Sequence, residues 1–284
     1  MKTLGFGVFA LGFGLVTLLW PAPLPVAAIS VAYDPQPQRA PVVLILGGSE
    51  GGRFGAAHPM VQGLHQSGFH VARLAYFGTP DTPPHRDRIA LDPFDDLIAT
   101  LSADPAVDAR CIFVLGASKG GELALLLAAA NPRLTAVAAL VPAHVVFQSS
   151  RITLQRHSSW RRGDAPLAFV PYPRLSMATL RGVLGLPGYR EMHEAALAND
   201  SAVTQAAIPV ERITAPLFLA GASDDSIWPS DSMVQEIAAR LTAAGRAAPT
   251  LHTAPDHFVL NHGQSRAAVL DFLMAQGRAL GCLS

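Results

Sequence analysis

The chain contains a serine whose surroundings suit a nucleophile. The motif GASKG occupies residues 116–120, between the apolar, strand-like run 111–115 and the helix-like run 122–130. A tight turn at such a junction strains the serine backbone and projects the hydroxyl at a helix N-terminus, where N–H groups favour developing negative charge. The context predicts that Ser118 attacks a carbonyl carbon, and the alternative is a glycine-rich turn whose serine caps the helix.

The base expected for this serine is a histidine near the C-terminus. A serine hydroxyl is a weak nucleophile unless a base accepts its proton. His257 follows the strand-like run 249–254, in a loop position that suits a general base. His252 lies within that run and His262 begins the next segment, so both are weaker candidates. We therefore expect His257 to activate Ser118.

The acid that orients this histidine is expected between the serine and the histidine in the chain, the order of hydrolases with a serine on a strand-to-helix turn. The strand-like run 216–220 leads into GASDDSIWP, which places Asp224 and Asp225 just beyond the strand. Catalytic groups of open parallel sheets gather at the carboxyl ends of the strands. Asp225 is favoured and Asp224 is the alternative, while turn formation or capping is the other role for such residues.

A glycine-rich loop completes the set of residues that suit acyl transfer. The motif GGSEGG, residues 47–52, follows the apolar run 42–46. A tetrahedral oxyanion needs two N–H donors, one from the residue after the nucleophile and one from an early loop of this kind. These are expected to be the N–H groups of Lys119 and of Glu50, with Ser49 as the alternative to Glu50. The loop lacks the GK[ST] ending of a phosphate-binding loop.

The elements that must position these residues alternate between strands and helices. Continuous apolar runs of four to eight residues are typical of strands buried on both faces, and apolar residues at helical spacing are typical of covering helices. This alternation predicts crossover connections and a doubly wound, mostly parallel α/β sheet. The predicted strands are 42–46, 70–76, 111–115, 136–141, 216–220 and 249–254, and the predicted helices are 92–101, 122–130, 234–244 and 267–275.

Residues from about 145 to 210 interrupt the alternation. They contain an Arg-Arg pair, several prolines and aromatic residues, and no obvious buried strand. Long insertions of this kind are usually functional, so we expect a mobile lid or cap between two strands of the sheet. The alternative is a surface excursion without a function.

Composition narrows the class of protein. The chain has 284 residues, half of them hydrophobic, and its 21 basic and 21 acidic residues give zero net charge. Nucleic-acid binders usually carry a basic excess, so we expect no nucleic-acid partner. The two cysteines do not predict a disulfide framework or a zinc site, and Cys111 is expected to be a small buried residue. We expect no metal and no nucleotide cofactor, because no motif for either is present.

The N-terminal residues have the pattern of an export signal. After Lys2 no charge occurs until Asp34, residues 3–20 are almost wholly apolar, and Val26-Ala-Ala28 offers small residues for cleavage. Residues 1–28 are therefore predicted to be a secretory signal peptide, or an uncleaved anchor that associates with the membrane through residues 3–20. Residues 29–284 are predicted to form a single domain. The expected location is periplasmic, secreted or membrane-anchored, and a cytoplasmic location is less favoured.

Five motifs together resemble a known family. GGSEGG, AYFG (75–78), RIALDPF (88–94), GASKGGELAL (116–125) and DDSIWPS (224–230) are similar, in order, to the C-terminal catalytic domain of the acyl-CoA thioesterase and bile acid-CoA:amino acid N-acyltransferase family. The resemblance spans residues 42 to 275 approximately. It implies an α/β-hydrolase fold and a triad of Ser118, Asp225 and His257. In this family the transferases use cysteine and the thioesterases use serine, so Ser118 implies hydrolysis.

Two departures from the family affect the expected substrate. Family members with the full architecture carry a β-sandwich domain before the hydrolase domain, whereas only about 40 residues precede the first predicted catalytic strand here. Export also conflicts with a CoA substrate, which is chiefly intracellular. The leading hypothesis is hydrolysis of acyl thioesters similar to acyl-CoA, which are small-molecule substrates. The alternatives are an exported carboxylic ester or lipid hydrolase, similar to an esterase or dienelactone hydrolase, and an inactive binding protein with the same fold, although no triad member is missing.

Overall fold

The computed structural model describes residues 24–149, 155–174, 177, 181 and 188–284. Most of the predicted signal peptide and parts of the predicted lid therefore lie outside the described residues. Within the described ranges, no helix is both long enough and apolar enough to cross a membrane.

Ten strands and seven α-helices make up the described chain. The strands are β1 (Ser30–Asp34), β2 (Ala40–Leu46), β3 (His70–Ala75), β4 (Ile89–Ala90), β5 (Val107–Ala117), β6 (Leu134–Leu140), β7 (Trp160–Arg162), β8 (Ala165–Pro166), β9 (Leu217–Asp224) and β10 (Thr250–Asp256). The helices are α1 (Pro59–Gln66), α2 (Asp92–Ala103), α3 (Lys119–Ala130), α4 (Tyr189–Leu197), α5 (Asp200–Ala206), α6 (Ser230–Ala243) and α7 (Gly263–Ala279). Short 3-10 turns cover Val210–Arg212 and Val259–Asn261.

Seven strands form the central sheet, in the order β1-β3-β2-β5-β6-β9-β10. All neighbours pair in parallel except β1, which runs antiparallel to β3 at one edge. The order places β2, β5 and β6 in the interior, and every residue of β2 is buried, as its continuous apolar run predicts. The predicted doubly wound, mostly parallel α/β sheet is confirmed.

Helices cover both faces of this sheet. On one face Phe94 and Ile98 of α2, Leu123 of α3 and Ile237 of α6 join a cluster of buried residues. On the other face residues of α1 and α7 pack against a second cluster that includes Ile45 and Phe113. Because successive side chains along a strand point to opposite faces of the sheet, each central strand contributes residues to both clusters. The sheet is thus held rigid from both sides, and its carboxyl edge is a fixed platform for loops.

Two groups of strands, besides the helices α1, α4 and α5, were not among the elements predicted from the sequence. The edge strand β1 is half exposed and short, and its alternating pattern covers only five residues. A separate three-stranded sheet, β4-β7-β8, joins the loop after β3 to the segment between β6 and β9. Strands of two or three residues carry no periodicity that a sequence pattern could reveal.

The segment predicted to be a lid lies between β6 and β9. Its described residues contain β7, β8, α4 and α5, and the Trp160 side chain is completely buried. The expectation of no buried strand in this segment is therefore wrong, because β7 carries that side chain into the core cluster beside α3. The role of the segment as a lid stays a prediction.

The two cysteines are joined. Cys111 in β5 is buried, as expected, but its sulfur forms a disulfide with Cys282 near the C-terminus, with 6.4 Å between the Cα atoms. A single bridge is not a disulfide framework, so that expectation stands. The expectation that Cys111 is only a small buried residue is wrong, because its sulfur is bonded to Cys282. The pairing was missed because 171 positions separate the two residues.

Candidate active site

Ser118 occupies the turn between β5 and α3. Its φ is 55° and its ψ is −119°, in the left-handed half of backbone space that non-glycine residues rarely adopt. A Cβ added to Gly116 would lie 2.0 Å from the Gly120 carbonyl oxygen, and one added to Gly120 would lie 2.4 Å from the Gly47 carbonyl oxygen. Both glycines are thus required for the segments to cross this closely, and the crossing fixes the turn.

His257 lies within hydrogen-bond distance of the serine. It follows β10, and its Nε2 is 2.8 Å from Ser118 Oγ. Its Nδ1 is 2.9 Å from both carboxylate oxygens of Asp225. His252 and His262 bond to other residues than Ser118 and Asp225. The His252 ring bonds to Ser265, and the His262 ring bonds to Asp256.

Asp225 is buried and fully bonded. Besides His257, it accepts hydrogen bonds from the Ile227 N–H at 2.9 Å, the Trp228 N–H at 3.2 Å and the Ser230 hydroxyl at 2.6 Å. Burial acts to raise the pKa of Asp225, but the bonds from His257 and Ser230 outweigh it and hold the pKa below its ordinary value. The carboxylate is therefore charged at neutral pH. Asp224, the last residue of β9, is exposed.

The glycine-rich loop after β2 reaches the serine through Gly48. A Cβ on Gly48 would lie 3.1 Å from Ser118 Cβ, and the Gly48 N–H donates to Glu50 Oε1 at 2.9 Å. Glu50 and Ser49, the residues that the sequence favours as N–H donors, are both exposed. The Tyr76 hydroxyl fixes the loop from below by donating to the Gly47 carbonyl at 2.6 Å. Gly48 was missed, because spacing alone does not show which glycine of the loop comes closest.

Lys119 begins α3, so its backbone N–H is among those without a partner inside the helix. Its side chain turns away from solvent, and Nζ lies 2.7 Å from both oxygens of Glu122. The indole N–H of Trp160 donates to the same carboxylate at 2.6 Å. Burial lowers the pKa of Lys119 to about 8 and raises the pKa of Glu122. This buried cluster ties the predicted lid segment to the helix that starts at the serine.

An aromatic group lies on the histidine side of the site. The Trp228 ring is 5.8 Å from the His257 ring, and the His193 ring of α4 meets Trp228 edge-on at 5.4 Å. The Tyr172 hydroxyl lies 3.1 Å from His193 Nε2. Burial lowers the pKa of His193 to about 4, so this ring is neutral at physiological pH. Trp228 belongs to the motif DDSIWPS, whereas His193 and Tyr172 belong to no motif, and the rings they contact are distant in the chain.

The arrangement can carry out nucleophilic acyl transfer. A hydroxyl, an imidazole and a buried carboxylate form one hydrogen-bonded series at the carboxyl edge of the sheet, and a helix N-terminus and a glycine loop flank the hydroxyl. Such a series allows the imidazole to accept the hydroxyl proton while the carboxylate stabilises the resulting charge. Among the residues that the structure describes, no group of three or more histidine, cysteine or acidic side chains is placed to hold a metal ion.

The chain is similar to a known protein family and to several of its members. The family model described as BAAT / Acyl-CoA thioester hydrolase C terminal matches residues 89–257. Acyl-coenzyme A thioesterase 1 of Mus musculus is 28% identical over 228 residues, which are 79% of this chain and 50% of the relative. Acyl-coenzyme A thioesterase 3 of Mus musculus is 30% identical over 194 residues, 68% of this chain and 42% of the relative. The chain thus spans about half the length of the curated relatives it matches.

Solved structures support the fold. An esterase of Pyrococcus furiosus superposes with a TM-score of 0.60 at 15% identity, covering 92% of this chain and 94% of the other. The 2,6-dihydroxy-pseudo-oxynicotine hydrolase superposes with a TM-score of 0.56 at 18% identity, covering 98% of this chain and 74% of the other. At this identity the likeness shows the fold alone, and the predicted α/β-hydrolase fold is confirmed.

Proposed function

Because the chain belongs to the BAAT / acyl-CoA thioester hydrolase C-terminal family, we propose that it is a serine hydrolase of acyl thioesters. Ser118 Oγ attacks the acyl carbonyl carbon while His257 Nε2 accepts the hydroxyl proton. Asp225 holds the ring in position and stabilises the imidazolium that forms. These three residues are the catalytic residues of the proposal.

The negative charge of the tetrahedral intermediate falls on the former carbonyl oxygen. The Lys119 N–H at the start of α3 donates to it, together with an N–H of the loop at residues 48–50. When the intermediate collapses, the carbon–sulfur bond breaks and His257 donates its proton to the leaving thiolate. Water then attacks the serine ester, His257 accepts a proton from the water, and the acid is released as Ser118 regains its hydrogen.

One observation carries this proposal: Asp225, His257 and Ser118 form an unbroken hydrogen-bonded series although 139 positions separate the serine from the histidine. Relatives of the transferase type use cysteine at the nucleophile position, whereas an oxygen ester at Ser118 is open to water. Hydrolysis rather than transfer to an amine is therefore proposed.

A second candidate, an exported carboxylic ester hydrolase, is favoured by the disulfide between Cys111 and Cys282. Disulfides persist in oxidising compartments and are rare in the cytosol, whereas acyl-CoA is chiefly intracellular. The same observation supports the proposal that residues 1–28 direct export. The catalytic residues are identical in the two candidates, and only the leaving group differs.

Labelling with a fluorophosphonate probe tests the catalytic residues. We expect the full chain to be labelled and Ser118→Ala to be unlabelled, while Ser102→Ala, a change on α2 far from the site, labels as the unchanged protein does. Equal labelling of Ser118→Ala would show that the nucleophile is another residue. Turnover of palmitoyl-CoA against p-nitrophenyl esters then separates the two candidates, since activity on esters without any on thioesters contradicts the first.

A further inference from the structure

Arg86 lies in the loop between β3 and β4, and no step of the proposed mechanism uses it. Its Nε and Nη1 atoms are buried, yet within the described chain neither has a hydrogen-bond partner. Its backbone is fixed, because the Ser149 hydroxyl donates to the Arg86 carbonyl at 2.8 Å. A guanidinium stays charged at every relevant pH, and burying its donors unpaired is costly. Such a group is expected to have a ligand.

The carboxylates around Arg86 are already bound by other cations. The Glu122 carboxylate accepts hydrogen bonds from the Lys119 ammonium group and from the Trp160 indole N–H. Asp87, next in the chain, is paired with Arg88 at 3.0 Å and faces His157 at 3.2 Å. Within the described chain, neither carboxylate therefore makes a hydrogen bond to Nε or Nη1 of Arg86.

The charge of Arg86 reaches both groups of side chains that flank the triad. On the side of the nucleophile, burial is the main cause of the lowered pKa of Lys119, and Arg86 acts in the same direction. On the side of the base, burial lowers the pKa of His193, and Arg86 again adds to the effect. Lys119 follows Ser118 in the chain, and His193 packs against Trp228, which contacts His257.

β3 and β5 both run parallel to β2, so the loop after β3, which carries Arg86, leaves the sheet at the same carboxyl edge as Ser118. A cation on this edge can recognise an anionic group on the acyl part of the substrate. The phosphates of CoA are separated from the thioester by the whole pantetheine arm, so they do not suit a buried guanidinium beside the triad. A carboxylate on the acyl chain does, because charge-assisted hydrogen bonds would satisfy the unpaired donors.

Resting on the proposed function, we propose that Arg86 is a specificity-determining residue that binds a carboxylate on the acyl part of the substrate. The enzyme would then prefer acyl groups derived from short dicarboxylic acids over uncharged acyl groups of the same carbon number. Arg86 takes no part in bond breaking, and its role is to hold the acyl chain with the carbonyl carbon near Ser118.

The test compares N-acetylcysteamine thioesters in pairs: succinyl with butyryl, glutaryl with pentanoyl and adipoyl with hexanoyl. For at least one pair we expect Arg86→Gln to lower the ratio of kcat/KM, charged over uncharged, at least tenfold. Arg86→Lys, which keeps the charge, is expected to retain part of the preference. Arg133→Gln, which removes an exposed arginine beyond the end of α3, should change no ratio by more than twofold.

The other outcomes separate a failure of this proposal from a failure of the proposed function. If thioesters are hydrolysed but Arg86→Gln changes no ratio, the proposed function stands and the role of Arg86 is wrong. If Arg86→Gln instead reduces turnover of butyryl-CoA relative to butyryl-N-acetylcysteamine, the anion belongs to the leaving group. If nothing is hydrolysed, the proposed function fails, and the carboxylate site is then tested by the effect of glutarate on the Tm of Ser118→Ala. A rise in Tm that is missing in Ser118→Ala/Arg86→Gln supports the site. No rise in Tm overturns it.

Discussion

Ser118 holds a backbone conformation that the surrounding chain must impose. A serine at φ 55° costs about 1–3 kcal/mol relative to an ordinary conformation. The Ser118 N–H donates to the Leu140 carbonyl of the neighbouring strand at 2.8 Å, and Gly116 and Gly120 allow the loops to cross behind it. The sheet, which is buried on both faces, thus holds Ser118 in this strained conformation. The hydroxyl projects beyond the sheet as a result, where His257 reaches it.

At the same scale, Asp225→Asn tests the carboxylate against its neighbour. Asparagine keeps the shape, but one oxygen becomes an NH₂ group that cannot accept from His257 Nδ1 or the Ser230 hydroxyl. We expect kcat on p-nitrophenyl butyrate to fall roughly 10³–10⁴-fold, the size of effect known for a triad whose histidine takes the wrong tautomer. Asp224→Asn, at the exposed neighbour, should stay within twofold. The reverse ranking would assign the acid to Asp224.

The sequence pointed to residues whose chemistry shows in their local context. Ser118 stands on a glycine turn, and Asp225 and His257 each follow a strand, so position along the chain carried the information. Gly48 and Arg86 gave no such signal. Their importance depends on what lies opposite in space, a serine Cβ at 3.1 Å in one case and a region of buried polar groups in the other. Contacts between residues far apart in the chain are set by packing, which one sequence does not display.

At the scale of elements, the last two strands of the chain, β9 and β10, end later than their apolar runs predict. The run 216–220 predicts a strand that stops before the glycine, whereas β9 continues to Asp224. A Cβ on Gly221 would lie 3.1 Å from the Asp231 backbone of α6, so the glycine lets the strand pass close beneath the helix. Likewise β10 continues to Asp256, paired with Asp224. This pairing brings the acid-bearing and histidine-bearing loops to the same edge.

The loop after β2 provides a prediction for an element. In Gly48→Ala the new Cβ would lie 2.8 Å from Glu50 Oε2 and 3.1 Å from Ser118 Cβ, so the loop must shift away from the serine. Because oxyanion donors are effective only in position, we expect kcat/KM to fall about 10–100-fold. Gly55→Ala, in the same loop but with open space at its Cβ position, is the matched control and should retain full activity. Thermal unfolding of both variants confirms that each is folded. Equal kcat/KM values for Gly48→Ala and Gly55→Ala would show that the position of Gly48 does not matter for catalysis.

The described part of the molecule has one large hydrophobic cluster on each face of the sheet, a smaller third cluster around Phe147 and Trp228, and one disulfide. Composition foretold the large core, because half of the residues are hydrophobic. The segment between β6 and β9 was expected to lie over the site as an insertion. Its described part adds buried side chains to the core, since Trp160 and Phe147 are fully buried, and its role as a lid stays a prediction. The Trp160–Glu122 hydrogen bond anchors part of this segment to α3, so any opening has to occur elsewhere in it.

The disulfide belongs to this largest scale, because it joins β5 in the centre of the sheet to the residues after α7. Closing a loop across 171 positions restricts the unfolded chain, and its loss is expected to lower the free energy of unfolding by about 2–4 kcal/mol. Cys282→Ser is the better variant, since Cys282 is half-buried whereas a serine at the buried Cys111 would bury an unpaired hydroxyl. Urea unfolding should show the loss in the unchanged protein with dithiothreitol, and in Cys282→Ser with or without it. Cys111 lies in the first half of β5, whereas Ser118 follows the end of this strand, so turnover by the folded fraction should not change. Equal free energies of unfolding for all four samples would show that the bridge does not restrict the unfolded chain.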